Sequence, residues 1–282
     1  MDQVRIGYVR YLNTCPLVEG LDRLDVLELT AAVPSKIVGL LERDDIDLGL
    51  ASIVDAVRSP LELAIVPVGM IGCDGPTCTV RLFSRVPAAE LTRVYVDTDS
   101  HTSAVLCQVV LHHLSGRMPT LIDFDARERY AVSGGSDDGQ WPQAMLLIGD
   151  KVMTDPPPAE IYPHQLDLGQ SWKDMTGMPF VYATWMCRRE RLHESRVQLA
   201  AAVLDRQRRH NAQRLAWIAQ RRAPEHAWPI DAAVEYLGSF LKFDIGPREL
   251  EAAEEFLRRG SELGILPHRP LRACLAEPVL RE

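Results

Sequence analysis

Short apolar runs alternate with helical segments through the first eighty residues, and that alternation leaves few folds open. Residues 4–9 read as a strand. Residues 13–21 begin a short helix with Pro16 near its first turn, where a missing N–H is tolerated. A second strand follows at 26–32, then a helix opened by Pro34 and Ser35 with Ile37, Leu40 and Leu41 on one stripe, then a third strand at 46–50. Strands joined by helices of roughly ten residues predict right-handed βαβ units and a parallel sheet. An extended segment at 62–71 ends in Cys73-Asp74-Gly75-Pro76, a turn signal.

A second α/β region comes next. Residues 79–84 are extended until Val86-Pro87 interrupts them, 91–96 suit a buried strand, and 102–115 carry Val105, Leu106, Val109, Val110 and Leu114 at helical spacing. Further strands are expected near 120–124 and 144–148. The Gly- and Ser-rich stretch 133–139 and the Pro-rich stretch 154–163 read as loops. After an extended, apolar 180–187 the chain turns helical only, over 197–222, 231–241 and 247–264. Two α/β regions and a helical return predict two lobes with a cleft between them. Ligands of such sheets sit beyond the carboxyl ends of the strands. Those ends carry Tyr11-Leu12-Asn13-Thr14, Ser52, residues 100–103 and Gly149-Asp150.

The densest of these is Asp97-Thr98-Asp99-Ser100-His101-Thr102-Ser103, between a strand and a helix. The first N–H groups of that helix lack intrahelical partners, and its macrodipole makes this end partly positive. A carboxylate or phosphate is stabilised there without a formal positive charge. The plainer alternative is that Ser100 or Thr102 only caps its own helix. With a net charge of −8 the whole molecule repels nucleic acid and anionic membrane, so an anionic ligand has to be held by local dipoles and a few donors. The basic cluster Arg206, Arg208, Arg209, His210, Arg214, Arg221 and Arg222 is interleaved with Val203, Leu204, Leu215 and Ile218, which makes it the solvated face of a packed helix.

Much chemistry is missing. The sequence holds no P-loop, G-x-G-x-x-G, H-E-x-x-H or G-x-S-x-G motif. The six cysteines form no C-x-x-C pair. Reduced, mostly buried thiols account for them better than a zinc site drawn from Cys73, Cys78, His112 and His113. No signal peptide and no apolar span of about twenty residues is evident, so a cytoplasmic protein is expected. Cofactor-free, metal-free chemistry or simple ligand binding remains. Asp74 reads as a turn former and Trp172 and Trp185 as core residues.

Five ordered segments then carry a family resemblance. They are Arg5-Ile6-Gly7-Tyr8 with Tyr11-Leu12-Asn13-Thr14-Cys15-Pro16-Leu17; Val33-Pro34-Ser35 with Asp45-Ile46-Asp47-Leu48; Cys73-Asp74-Gly75-Pro76; residues 97–103; and Leu147-Ile148-Gly149-Asp150 with Asp167-Leu168-Gly169, Trp172 and Thr176-Gly177-Met178-Pro179-Phe180-Val181. In order and spacing the chain resembles the chorismate dehydratases of the futalosine route to menaquinone. The resemblance implies an α/β, two-lobed, type II periplasmic-binding-protein-like fold with an inter-lobe cleft and a helical C-terminal region. One discontinuous lobe would combine residues 1–86 and 184–282, and 87–183 would form the other. It also implies removal of water from chorismate to give 3-enolpyruvylbenzoate by a carbon–oxygen lyase that needs no cofactor or metal.

Family site residues fall on Asn13 and on Thr79, where many relatives carry serine. Thr14, Ser52, Ser100, His101, Thr102 and Ser103 would hold the substrate, a small dicarboxylate. Relatives commonly have arginine at the position of His101, so a titratable ring replaces a permanent forked charge here. No partner is implied beyond the substrate: neither nucleic acid nor membrane, and the oligomeric state stays open, a homodimer included. The rival readings are a non-catalytic binding protein or sensor for a small carboxylate, and the paralogous enzyme of a later step, which cyclises a futalosine derivative.

Overall fold

The computed structural model describes residues 3–97, 99–124 and 142–271. The expected loop at 133–139, Thr98 and Cys274 lie outside these described residues. The strands, in chain order, are β1 (Val4–Val9), β2 (Leu27–Ala32), β3 (Leu48–Ser52), β4 (Leu63–Cys73), β5 (Val80–Ser84), β6 (Arg93–Asp97), β7 (Thr120–Phe124), β8 (Ala144–Ile148), β9 (His164–Asp167), β10 (Phe180–Arg188) and β11 (Leu241–Lys242). They form two sheets, ordered β11-β4-β10-β3-β1-β2 and β7-β6-β8-β5-β9.

β1 runs parallel to both β2 and β3, as the strand–helix alternation predicts. The sheet is nevertheless mixed. β10 lies antiparallel between β3 and β4, because it arrives from the other lobe and not through a helical crossover. The chain changes sheets between Cys73 and Val80 and returns between Asp167 and Phe180. Both crossings precede the expected divisions at 86 and 183. Val86-Pro87 only ends β5, whereas the turn at 73–76 is where the chain leaves the first sheet.

β3 and β8 are buried along their whole length, so their sequences are continuous apolar or small-residue runs without alternation. β9 escapes sequence reading because it is a short, polar edge strand after a proline-rich stretch. Trp172 and Trp185 are core residues; Trp172 meets the rings of Phe180 and Phe256 edge-on, at 5.4 and 5.8 Å between centroids. The described cysteines are free thiols, four of them buried and Cys78 partly so.

The helical region departs from expectation at two points. The helix predicted over 197–222 is two, Ser195–Ala212 and Leu215–Arg222. At the break, buried Asn211 donates to the carbonyls of Pro16 and Glu19 and accepts from Arg214, so tertiary hydrogen bonds replace helical continuity. The stretch expected over 231–241 is a helix, Ile230–Glu235, running into a π-helical turn, Tyr236–Phe240, and then β11. The basic cluster is a paired surface face. Arg222 meets Glu19 at 2.6 Å, Arg208 meets Asp205 at 2.9 Å, and Arg214 and Arg221 flank the ring of Trp217. Among the described residues no helix is long and apolar enough to cross a membrane.

Under the first sheet, the wholly buried carboxylate of Asp47 accepts the backbone N–H of Arg5 at 2.9 Å and its guanidinium at 2.8 Å, with Arg191 also at 2.8 Å. Burial alone would raise its pKa, but the hydrogen bonds and charge of Arg5, with Arg196, outweigh that and hold it below the ordinary carboxylate value. Asp47→Asn is therefore expected to cost about 2–3 kcal/mol, less than a fully buried pair because the arginines are partly exposed. A depressed folded pKa contributes stability above the unfolded value and loses it as pH falls. In urea titrations the gap between wild type and variant should be widest at neutral pH and close below about pH 4. A gap that stays constant with pH would remove the charge from this account.

Candidate functional site

Thr79 is pinned where the chain enters the second lobe. Asp167 caps the helix Leu168–Thr176, and its carboxylate accepts the N–H groups of Gln170 (3.0 Å), Thr77 (2.9 Å) and Cys78 (2.6 Å). One aspartate thus ties the crossing segment to a helix start. Gly169 is needed at this contact, since a Cβ there would lie 2.1 Å from Thr77 Oγ1 and 2.8 Å from the carbonyl of Gly75. The Thr77 hydroxyl pairs with that of Tyr182 at 2.7 Å. Thr79 itself accepts the Gly149 N–H through its carbonyl at 2.9 Å, and its hydroxyl lies 2.6 Å from the Tyr236 hydroxyl.

Asn13 comes from the first lobe. It sits in a 3-10 turn, Leu12–Thr14, directly after β1, and its Oδ1 accepts the Thr14 hydroxyl at 3.2 Å. The third contributor is the helix His101–Ser115. Ser100 caps it: Oγ accepts the Ser103 N–H at 3.1 Å and donates to Ser103 Oγ at 2.8 Å. The capping role is thus real, and it leaves the Ser103 hydroxyl with its own proton to give.

Asn13, Ser52, Thr79, Ser100 and Ser103 line one cavity between the lobes, open at its mouth. Tyr11, Thr77, Gly149 and Tyr182 add polar groups, and Val9, Leu50, Ile71 and Ile148 add apolar wall. Among the described residues, none that lines it carries a formal charge. Burial, with nearby carboxylates, raises the Tyr11 phenol well above its ordinary pKa; burial does the same for Tyr182. Both stay neutral donors. The cavity therefore offers hydroxyls, an amide and backbone dipoles, and no side chain that takes up a proton near neutral pH.

Three predicted residues lie off this cavity. Thr14 faces a neighbouring one. The Thr102 hydroxyl donates to the carbonyl of Tyr182 at 3.0 Å. His101 places Nδ1 2.8 Å from Asp55 Oδ1, a contact to the other lobe.

Sequence reading also missed the contact that shuts the cleft. Asp150, after β8, accepts the Leu12 N–H at 3.2 Å, His226 Nδ1 at 2.8 Å and the Trp228 indole N–H at 3.0 Å, all from the first lobe. Tyr11 adds a 3.2 Å hydrogen bond to Asp99, and the Ser35 N–H reaches the Asp99 carbonyl at 3.2 Å. Cys15 Sγ stands 3.9 Å from His226 Nε2, giving a Cys–His–Asp order. Burial pushes that thiol up to about 12, so it stays protonated and is no activated nucleophile. The Gly149-Asp150 signal was visible as a strand end; its partners 76 and 78 residues away were not.

A family model described as menaquinone biosynthesis matches residues 4–262. The chain belongs to that family. It is 30% identical over 199 residues to a chorismate dehydratase of Thermus thermophilus, covering 66% of this chain and 70% of the relative. Among solved structures it is similar to the alkanesulfonate-binding protein of Xanthomonas axonopodis pv. citri bound to MOPS, with TM-score 0.67, 15% identity and 98% of each chain covered. A Candida albicans protein described as having the generic periplasmic binding protein fold gives TM-score 0.68 at 10% identity, covering 100% of this chain and 98% of that one. The family member therefore has the two-lobed periplasmic-binding-protein fold that its sequence leads one to expect.

Hydrogen bonds to a charged group are worth about 1.5–3 kcal/mol each, so losing the Asp150 carboxylate should shift the closed-to-open ratio at least about tenfold. Asp150→Ala is expected to enlarge the ligand-free radius of gyration in solution scattering and to speed hydrogen exchange at Leu12 by about tenfold or more. Unchanged scattering and exchange would show that Asp150 does not hold the lobes together.

Proposed function

We propose that this protein removes water from chorismate, giving 3-enolpyruvylbenzoate as a step of menaquinone biosynthesis. The observation that carries this reading is the meeting of Asn13 and Thr79, from different lobes, in one uncharged cavity that also receives the start of the Ser100-capped helix. The family match and the chorismate dehydratase relative support it.

Chorismate carries two carboxylates and loses the proton at C3 and the hydroxyl at C4, and aromatisation supplies the driving force. The protein's task is positioning. The N–H groups opening the helix at His101, with the Ser103 hydroxyl, suit one carboxylate. Asn13 and Thr79 suit the leaving hydroxyl, which takes up the C3 proton from the substrate's own carboxyl and departs as water. Since no lining side chain accepts a proton near neutral pH, a carboxylate of the bound substrate is the base in this scheme: it takes the C3 proton as the C4–O bond breaks. No cofactor or metal enters it. Ser52 supports the substrate from the first lobe, whereas His101 acts on closure in place of direct contact.

Purified protein incubated with chorismate should produce an aromatic ultraviolet spectrum, and Asn13→Ala and Thr79→Ala should each lower kcat/KM about a hundredfold. Full turnover in both variants would remove these residues from the site. Saturable chorismate binding with no product would replace the enzyme with the binding-protein reading.

A further inference from the structure

Tyr236 touches the site without lining it. Its ring is 2% exposed, it begins the π-helical turn Tyr236–Phe240, and its hydroxyl lies 2.6 Å from Thr79 Oγ1. The Asn13 amide lies near enough to the same phenol to favour its ionised form. A tyrosine is therefore set between the two residues, one from each side of the cleft, on which the proposed dehydration depends. π-helical turns are rare and recur at functional positions.

The phenol has one proton to give, and Thr79 Oγ1 is the partner in reach at 2.6 Å. The Asn13 Oδ1 accepts the Thr14 hydroxyl at 3.2 Å, which leaves the amide N–H groups to offer to neighbouring oxygens. A threonine hydroxyl that accepts from Tyr236 keeps its own proton for a third group, and the open side of Thr79 is the cavity. Thr79 is 1% exposed, so bulk water does not compete to turn it.

We propose that Tyr236 is a positioning residue whose hydroxyl donates to Thr79 and thereby aims the Thr79 proton at the substrate's departing oxygen. This rests on the dehydratase reading above. The same tyrosine is also connected to closure. It stacks on Trp228 with ring centroids 4.8 Å apart and planes 16° from parallel, and the Trp228 indole N–H donates to Asp150 across the cleft. The aim of Thr79 is thus complete only when the lobes are shut.

Tyr236→Phe removes one oxygen and keeps the ring. It is expected to lower kcat about tenfold to a hundredfold with KM within about threefold of wild type. If Tyr236 acts through Thr79, the double variant Tyr236→Phe, Thr79→Ala should be no slower than Thr79→Ala alone, the non-additivity of two residues acting as a unit. Fluorotyrosine at 236 keeps shape and donor and should retain kcat within about threefold, which also serves if the Phe variant does not fold. A Phe variant with wild-type kcat, a loss confined to KM, losses that multiply in the double variant, or fluorotyrosine as slow as Phe would each overturn the assignment. An active wild type with any of these results sinks the Tyr236 inference alone. A wild type that leaves chorismate unchanged sinks the dehydratase reading and this inference with it.

Discussion

The carboxylate of Asp150 is the contact on which the geometry of the cleft depends. Three donors from two stretches of the first lobe, the Leu12 amide and the neighbouring His226 and Trp228, converge on one side chain of the second. Each of these stretches also serves the cavity: Leu12 precedes Asn13, and Trp228 backs Tyr236. A charged acceptor with several donors is stronger than the same bonds made between neutral groups, and more specific in direction. The lobes therefore meet at a defined angle, and that angle brings Asn13 near Thr79.

The cavity that results is unusual for a proposed dicarboxylate site, because charge surrounds it without entering. Lys151 pairs with Asp97 at 2.5 Å, and His101 with Asp55 at 2.8 Å, behind the polar wall. An acidic chain gains from this arrangement. Fixed hydroxyls and N–H dipoles hold an anion in a low-dielectric cleft without a mobile cation that must be desolvated first.

How far the chain could be read from its residues differs between fold and site. The strand–helix alternation and the long apolar runs were legible because burial on both faces of a central strand writes itself into consecutive residues, as in β3 and β8. The mixed direction of the first sheet was not, since β10 is as apolar as a parallel strand and only its point of entry makes it antiparallel. At the site, Asn13, Ser52, Thr79, Ser100 and Ser103 were legible as polar groups at strand ends or through family resemblance. The pairing of His101 was not legible, since nothing local announces Asp55, 46 residues earlier in the chain. Tyr236 and Tyr182 gave no signal: a buried tyrosine inside an apolar stretch is indistinguishable from packing until its hydroxyl partner is known.

The place of β10 has a consequence for how this chain is made. The first sheet cannot close around β3 and β4 until Phe180–Arg188 has been synthesised, because that strand fills the gap between them. The second sheet, by contrast, is built from one uninterrupted stretch ending at Asp167. On the ribosome the inserted lobe is complete first, while the amino-terminal strands wait with an open seam of unpaired backbone. The order of birth of the two lobes is thus the reverse of the order of their first residues.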